Sequence, residues 1–177
     1  MTHIVEHFDF NKHCFRLNLM ELSPESLRAV QEVSQVADLG FTPSQVLMNA
    51  VVTSTEAFVV LTKDTHRLIG LAGVSPRYYG TTVVNSPWLY VSPEFTQMPV
   101  FLHRFCSIVL DKWLAESPLW GEAVYCPKTE RFLVSLGFTI QYSGKTMYYY
   151  KKGGTDVHSP NDTNECRVHA DGDKSKE

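Results

Sequence analysis

Trp88-Leu89-Tyr90-Val91-Ser92-Pro93-Glu94-Phe95-Thr96-Gln97-Met98-Pro99-Val100-Phe101, running on to Ala115, is the stretch that decides the fold. It starts as an apolar, β-rich run and breaks at Ser92-Pro93-Glu94. Beyond the break Val100, Phe101, Phe105, Ile108, Val109, Trp113 and Leu114 recur at three- and four-residue spacing, which predicts a long helix over 97–116.

Working outward, the N-terminal side changes period several times. His13 to Met20 alternates apolar and polar positions and predicts a strand. Ser23 as N-cap and Pro24 at the first helical position open a helix with the stripe Leu27, Val30, Val33 or Ser34, and Ala37, stopped by Gly40. Thr42 and Gln45 have the spacing of a capping box and open a second helix that buries Val46, Leu47, Ala50 and Val51. Ala57–Leu61 and Leu68–Val74 read as a hairpin, and Thr81–Val91 as a third strand in which Pro87 marks an edge, bulge or entry point. On the C-terminal side follow a strand at Glu122–Tyr125, a helix at Lys128–Ser135, a positive-φ turn at Gly137, and a hairpin of Phe138–Tyr142 with Lys145–Lys151. The order β α α β β β α β α β β is an α+β layout: one mixed, mostly antiparallel sheet with helices on both faces.

The chain has 177 residues, 44% of them hydrophobic, and a net charge of -3. That charge is unevenly placed, since residues 1–152 hold 13 basic and 13 acidic side chains while 153–177 hold 3 and 6. The last segment contains no aromatic residue and reads as a disordered polar acidic tail, because ordering it costs roughly 1–2 kcal/mol of backbone entropy per residue with little apolar area to offset it. The domain is therefore 1–152. Its neutrality argues against nucleic acid as a partner. Val100–Ala115 is the longest apolar-rich segment, and His103, Arg104, Asp111 and Lys112 interrupt it, so no membrane span is expected. The N-terminus lacks a basic region followed by an unbroken apolar run, which argues against secretion. Cys14, Cys106, Cys126 and Cys166 show no CxxC spacing and read as reduced thiols in a cytosolic setting.

Two segments, Trp88–Ala115 and Tyr125–Phe138 with its Leu136-Gly137-Phe138, resemble the Gcn5-related N-acetyltransferase superfamily. The resemblance implies an acetyl-CoA site in which the pyrophosphate rests on backbone N–H groups at the start of the long helix. If CoA binds, Tyr90, Val91, Thr96, Gln97 and Val100 are the residues that would hold it. The family pattern places a Gln or Arg at Thr96 and glycines at Gln97, Pro99 and Phe101, and none of those glycines is present. Pro99 has no N–H to donate and reads as the helix start; Phe101 reads as a core side chain. Thr96 and Gln97 remain as N–H donors. The family's general acid, a Tyr, falls on Leu133, which exchanges no proton. Tyr125 and Tyr142 are the substitutes to weigh, and Glu94 and Glu122 the candidate bases, each read first as a solvated turn residue. No catalytic residue is assigned.

Within that superfamily the departures resemble the small internal virion proteins of T7-like podophages, on Trp88, Leu119-Trp120, Arg131-Phe132-Leu133, Gly137 and the Lys-Gly-Gly at 152–154. This implies an acetyltransferase-fold pseudoenzyme, in the virion or the host cytoplasm, acting in virion assembly or as ejected material, with no cofactor. The alternatives are an active N-acetyltransferase using acetyl-CoA on an amine, and a counter-defence protein binding a host factor. His3, His7 and His13 read as a flexible end rather than metal ligands, and His103 with Cys106 as a buried thiol beside an ordinary histidine. In Tyr148-Tyr149-Tyr150-Lys151-Lys152, Tyr148 and Tyr150 share one face and Tyr149 takes the other. With Trp88 and Tyr78-Tyr79 they predict an aromatic surface for virion or host proteins.

Overall fold

Three β-rich runs joined by tight turns build the centre of the sheet. In the computed structural model, which describes residues 3–37 and 40–152, β2 (Glu56–Thr62) pairs antiparallel with β3 (Leu68–Tyr79), and β3 with β4 (Thr82–Val91). Val59, Val60 and Leu61 are fully buried, as befits a strand covered on both faces. Ahead of them come β1 (His3–His7), α1 (Phe10–Asn18), α2 (Pro24–Ala37) and α3 (Pro43–Val52). After them come α4 (Pro93–Thr96), α5 (Pro99–Glu116), β5 (Leu119–Val124), α6 (Pro127–Ser135), β6 (Thr139–Ser143) and β7 (Thr146–Lys151). The strand order is β1-β2-β3-β4-β5-β7-β6, and every pair is antiparallel except β4 with β5.

The predicted α+β class, with one sheet between two helical layers, is what the structure has. One core lies under α4–α6, where Phe95, Phe105, Val109 and Trp113 meet Val60, Ile69 and Ala72. The other lies under α1–α3, where Leu17, Val30 and Leu47 meet Val59, Leu61 and Leu71. Thr42 and Gln45 form the expected capping box, and Gly137 takes the expected positive φ of 83°. The predicted tail, 153–177, lies outside the described residues.

Several expectations are corrected. His13–Met20 is not a strand: Asp9 caps α1 by accepting from the Lys12 N–H, and the buried positions are His13 and Leu17, four apart. Phe15 and Leu19, which created the apparent alternation, are exposed at 72% and 66%. The N-terminus is not a free end, since His3–His7 pairs with Phe58–Thr62 about 50 residues later, a long-range contact invisible to local periodicity. At the start of α2, Ser23 ahead of it, Ser26 and Val30 are buried, while Leu27 and Val33 face out. The long helix begins at Pro99 rather than Gln97, because Pro93–Thr96 forms a separate turn of helix.

Two close approaches pin the layers. Phe95 lies over Gly70 and Trp88 over Gly73, whose added Cβ would come within 2.3 Å of the indole. The Trp88 indole N–H donates to Ser54 Oγ at 2.8 Å. Gly73→Ala is expected to destabilise the domain by about 1–3 kcal/mol through overpacking, read as a lower thermal midpoint with altered near-UV dichroism.

Glu56 ties β2 to α5, accepting from Trp113 Nε1 at 2.8 Å and pairing with Lys112. Burial works to raise its carboxyl pKa, but the bonds from Lys112 and Trp113 outweigh it, and the net shift is downward. Glu6 is also lowered, chiefly by Lys12, and Glu25 by Lys128. A carboxyl with a lowered folded pKa binds fewer protons folded than unfolded, so its stabilisation is complete above the ordinary carboxylate range and fades as pH falls through the folded value. Chemical denaturation across that acidic range should show stability falling with pH, with a shallower fall in Glu56→Gln.

Candidate functional site

The loop between β4 and α5 is built by a serine cap. Ser92 Oγ accepts from the Phe95 N–H at 3.2 Å, and its carbonyl accepts from Thr96 at 3.2 Å. Gln97 then donates to the Glu94 carbonyl and Met98 to the Phe95 carbonyl, both at 3.1 Å. All four successive N–H groups from 95 to 98 are thus engaged inside the loop. Thr96 and Gln97, read as N–H donors, are exposed, and their N–H groups bond the Ser92 and Glu94 carbonyls within the turn. Pro99 opens α5 without an N–H, and Met98 offers no side-chain cap. Phe101, half-buried, stacks between His3 at 4.9 Å and Phe95 at 5.7 Å, while Val100 is 81% exposed. Glu94 is no solvated turn residue either; it pairs with Arg67.

Beside this loop β4 and β5 part company. They share one parallel pair, Asn85 with Leu119, where the Asn85 N–H donates to the Pro118 carbonyl. Val74 gives its carbonyl to the Thr55 N–H, so its cross-strand partner Pro87 turns its backbone away from β3 and toward the split. Pro87 has no N–H to leave unpaired there, which is the physical reason a proline is tolerated in this strand. Its carbonyl accepts from the Tyr149 hydroxyl at 3.2 Å. Tyr149 lies across Gly121, where a Cβ would meet the ring at 2.3 Å, and burial, followed by the Glu122 charge, pushes its hydroxyl pKa up to about 12.

Four residues further along, Val91 faces the same way. Its N–H donates to Ser26 Oγ at 2.9 Å and its carbonyl accepts from Ser23 N–H at 2.8 Å. Ser23, Ser26 and Val91 are all buried. The start of α2 therefore lies along the β4 edge like an added strand residue, and Lys128 on α6 reaches Glu25 at 2.8 Å from the other side. Tyr90 points instead into the α1–α3 core, 5.5 Å from Trp88, with burial raising its pKa.

The remaining candidates are dispersed. Tyr142 donates to Glu130 at 2.5 Å, which pushes its pKa up to about 12, and it meets Tyr125 edge-on at 5.9 Å; both are exposed, with Glu130 on α6. Leu133 packs against the α5 core. Glu122 is exposed on β5, far in chain order from Glu94 and paired with Tyr148. Cys106 is buried with its pKa raised to about 12, and His103 bonds the Ser135 carbonyl at 3.1 Å. Cys126, read in the sequence only as a reduced thiol, holds the N-cap position of α6, where the Thr129 N–H lowers its pKa. Among the described residues no group of three or more His, Cys, Asp or Glu side chains is arranged to hold a metal. Nor is any helix among them long and apolar enough to cross a membrane.

No family model matches the sequence, and no curated protein does. Solved structures match in shape. The ribosomal-protein-S5-alanine acetyltransferase from Vibrio fischeri superposes with a TM-score of 0.55 at 15% identity, over 86% of this chain and 93% of that one. An acetyltransferase of the GNAT family from Bacillus anthracis gives 0.55 at 11%, over 86% and 95%. AtaTR bound with AcCoA gives 0.57 at 12%, over 84% and 92%. At these identities the likeness is one of fold, and the fold of this chain is that of the Gcn5-related N-acetyltransferases.

Proposed function

We propose that this chain is a non-catalytic member of the acetyltransferase fold that works by binding other proteins, in the assembly of a podophage virion or as a component delivered into the host. The observation that carries the non-catalytic part is the state of the β4 edge and the loop after it. Acetyl-CoA offers a pyrophosphate that needs clustered N–H donors and an amide-bearing arm that pairs with a free strand edge. Here the N–H groups from 95 to 98 are engaged within α4, Pro99 has none, and Val91 is held on both backbone groups by Ser23 and Ser26. These engaged groups support a reading without the cofactor. The absence of a proton-exchanging side chain at Leu133 supports the same reading. The virion role is supported by the resemblance of the Trp88, Leu119-Trp120 and Arg131–Leu133 segments to internal virion proteins, and it places the protein in the virion or the host cytoplasm.

Calorimetric titration with acetyl-CoA is expected to give no binding heat, and the melting temperature should not move at millimolar cofactor. A ligand at 100 times its Kd would stabilise the fold by about 2.7 kcal/mol, so a clear upward shift, or turnover with an amine panel, would sink the reading in favour of a working acetyltransferase. Purified particles should contain the protein; its presence in infected lysate alone would favour the counter-defence role.

Ser26→Ala is expected to leave the Val91 N–H without its partner in a buried setting and cost about 1–3 kcal/mol. Denaturant unfolding measures this, and amide exchange at Val91 should accelerate more than at Leu71.

A further inference from the structure

The sheet ends on β6, and the register shows which of its backbone groups are engaged. Tyr125 donates its N–H to the Lys145 carbonyl, so the odd-numbered residues that continue into β7 bond toward β5, and Thr146, Tyr148 and Tyr150 bond toward β6. Their partners Ser143, Gln141 and Thr139 therefore turn both backbone groups inward. Ile140 and Tyr142 turn theirs outward, where they meet no partner among the described residues. The register runs through Thr139–Ser143 without a bulge, and none of these residues is charged or proline. The edge thus lacks the devices that keep an edge strand from adding another. The opposite edge has one, since β1 carries Glu6 paired with Lys12.

We propose that β6 is a self-docking edge, on which a second copy of this chain lays its own β6 antiparallel across a two-fold axis at Gln141. The outward residues set that register. Rotation about Gln141 places Ile140 opposite the partner's Tyr142 and Tyr142 opposite the partner's Ile140. Each of these pairs exchanges N–H and carbonyl in both directions, so the outward groups of one edge meet those of the other with none left over. The side chains match under the same rotation. On one face the exposed Tyr142 ring lies beside the partner's Ile140, an aromatic against a β-branched side chain. On the other, Gln141 meets the partner's Gln141 and Thr139 the partner's Ser143, all exposed and able to donate and accept. No like charges face each other along the strand, and residues 1–152 are balanced at 13 basic and 13 acidic side chains. The axis runs through the sheet, so α6 of both copies lies on one side of the joined strands, tied to each edge by the bond from Tyr142 to Glu130. A strand of 5 residues on each side makes a small contact, below about 1,200 Å² in total, which sets a weak dimer that forms as concentration rises. This pairing goes beyond the role proposed above and does not depend on it.

Sedimentation equilibrium of the full chain over a concentration series tests the pairing. The average mass should rise from one chain toward two in the micromolar range. Amide exchange at Ile140 and Tyr142 should slow over the same range, while that at Gln141, already bonded to β7, stays as it is. Gln141→Lys sets like charges opposite each other at the axis and should weaken association about fivefold at low salt and less at high salt. Gln141→Glu should do the same. An equimolar mixture of the two variants should associate at least as tightly as the parent chain, because each then faces the opposite charge, a result that requires the axis to pass at this residue. Position 141 is exposed, so both variants should keep the parent's thermal midpoint in dilute solution. A single-chain mass up to millimolar concentration overturns the proposal, as does association that the two variants do not weaken or that their mixture does not restore. Slow exchange at Ile140 and Tyr142 that is independent of concentration also overturns it, by showing that the same chain already covers its own edge.

Discussion

The pairing of Val91 with the start of α2 is the constraint on which the rest of this structure depends. A parallel pair that separates after Asn85 and Leu119 leaves β4 with outward backbone groups, and buried peptide groups without partners cost about 1–3 kcal/mol each. Ser26 Oγ and the Ser23 N–H take both groups of Val91. That docking fixes the rotation of α2 about its axis, which is why Val30 points inward and the apolar Leu27 and Val33 do not. It also brings Glu25 within reach of Lys128, so that α2 and α6 are linked across the split. One pair of backbone bonds thus sets the position of a helix, the closure of the sheet and the shape of the site.

The loop that follows obeys the same accounting of donors. An anion-binding loop holds its N–H groups outward and relies on residues with small or absent side chains to let the anion approach. Here Ser92 draws the chain into a closed turn, and Phe95 is pulled down onto Gly70 with no exposed surface. Phe95 is the anchor: its ring stacks on Phe101 and Phe105, so opening the loop to free its donors would expose a fully buried aromatic, roughly 1.5–3 kcal/mol of transfer free energy before any strain is counted. The glycines missing at 97, 99 and 101 and the packed Phe95 are two sides of one arrangement, a loop whose stability comes from its own closure.

Much of this was legible in the sequence where the cause is local. The Thr42–Gln45 cap, the Gly137 turn, the hairpins and the helical period from Val100 to Trp113 depend on neighbours within a few residues. The missing phosphate-loop glycines and the opposed faces of Tyr148 and Tyr149 were legible for the same reason. What was not legible depends on distant partners. His3–His7 is a strand only because Phe58–Thr62 is there to pair with it. His13–Met20 alternates like a strand, but the Asp9 cap and the burial of His13 and Leu17 make it a helix, leaving Phe15 and Leu19 outside. Ser23 and Ser26 read as an ordinary helix start, and their bond to Val91, 65 residues away, has no local signature.

The charge distribution and the site geometry bear on one question. A cofactor with several phosphates would have to settle on a domain whose acidic and basic side chains balance, at a loop with Glu94 beside it and with the N–H groups of residues 95 to 98 bonded within it. The Arg67 that could have offered compensation is already paired with Glu94. Across the split, Trp120 on β5 and Tyr148 on β7 lie ring to ring at 5.8 Å, with Glu122 directly opposite Tyr148 in the register. The closure that steadies the loop is made of the N–H groups of residues 95 to 98, each bonded to an oxygen within it. The shared fold fixes the frame, and what that frame can bind is set by the groups placed along it.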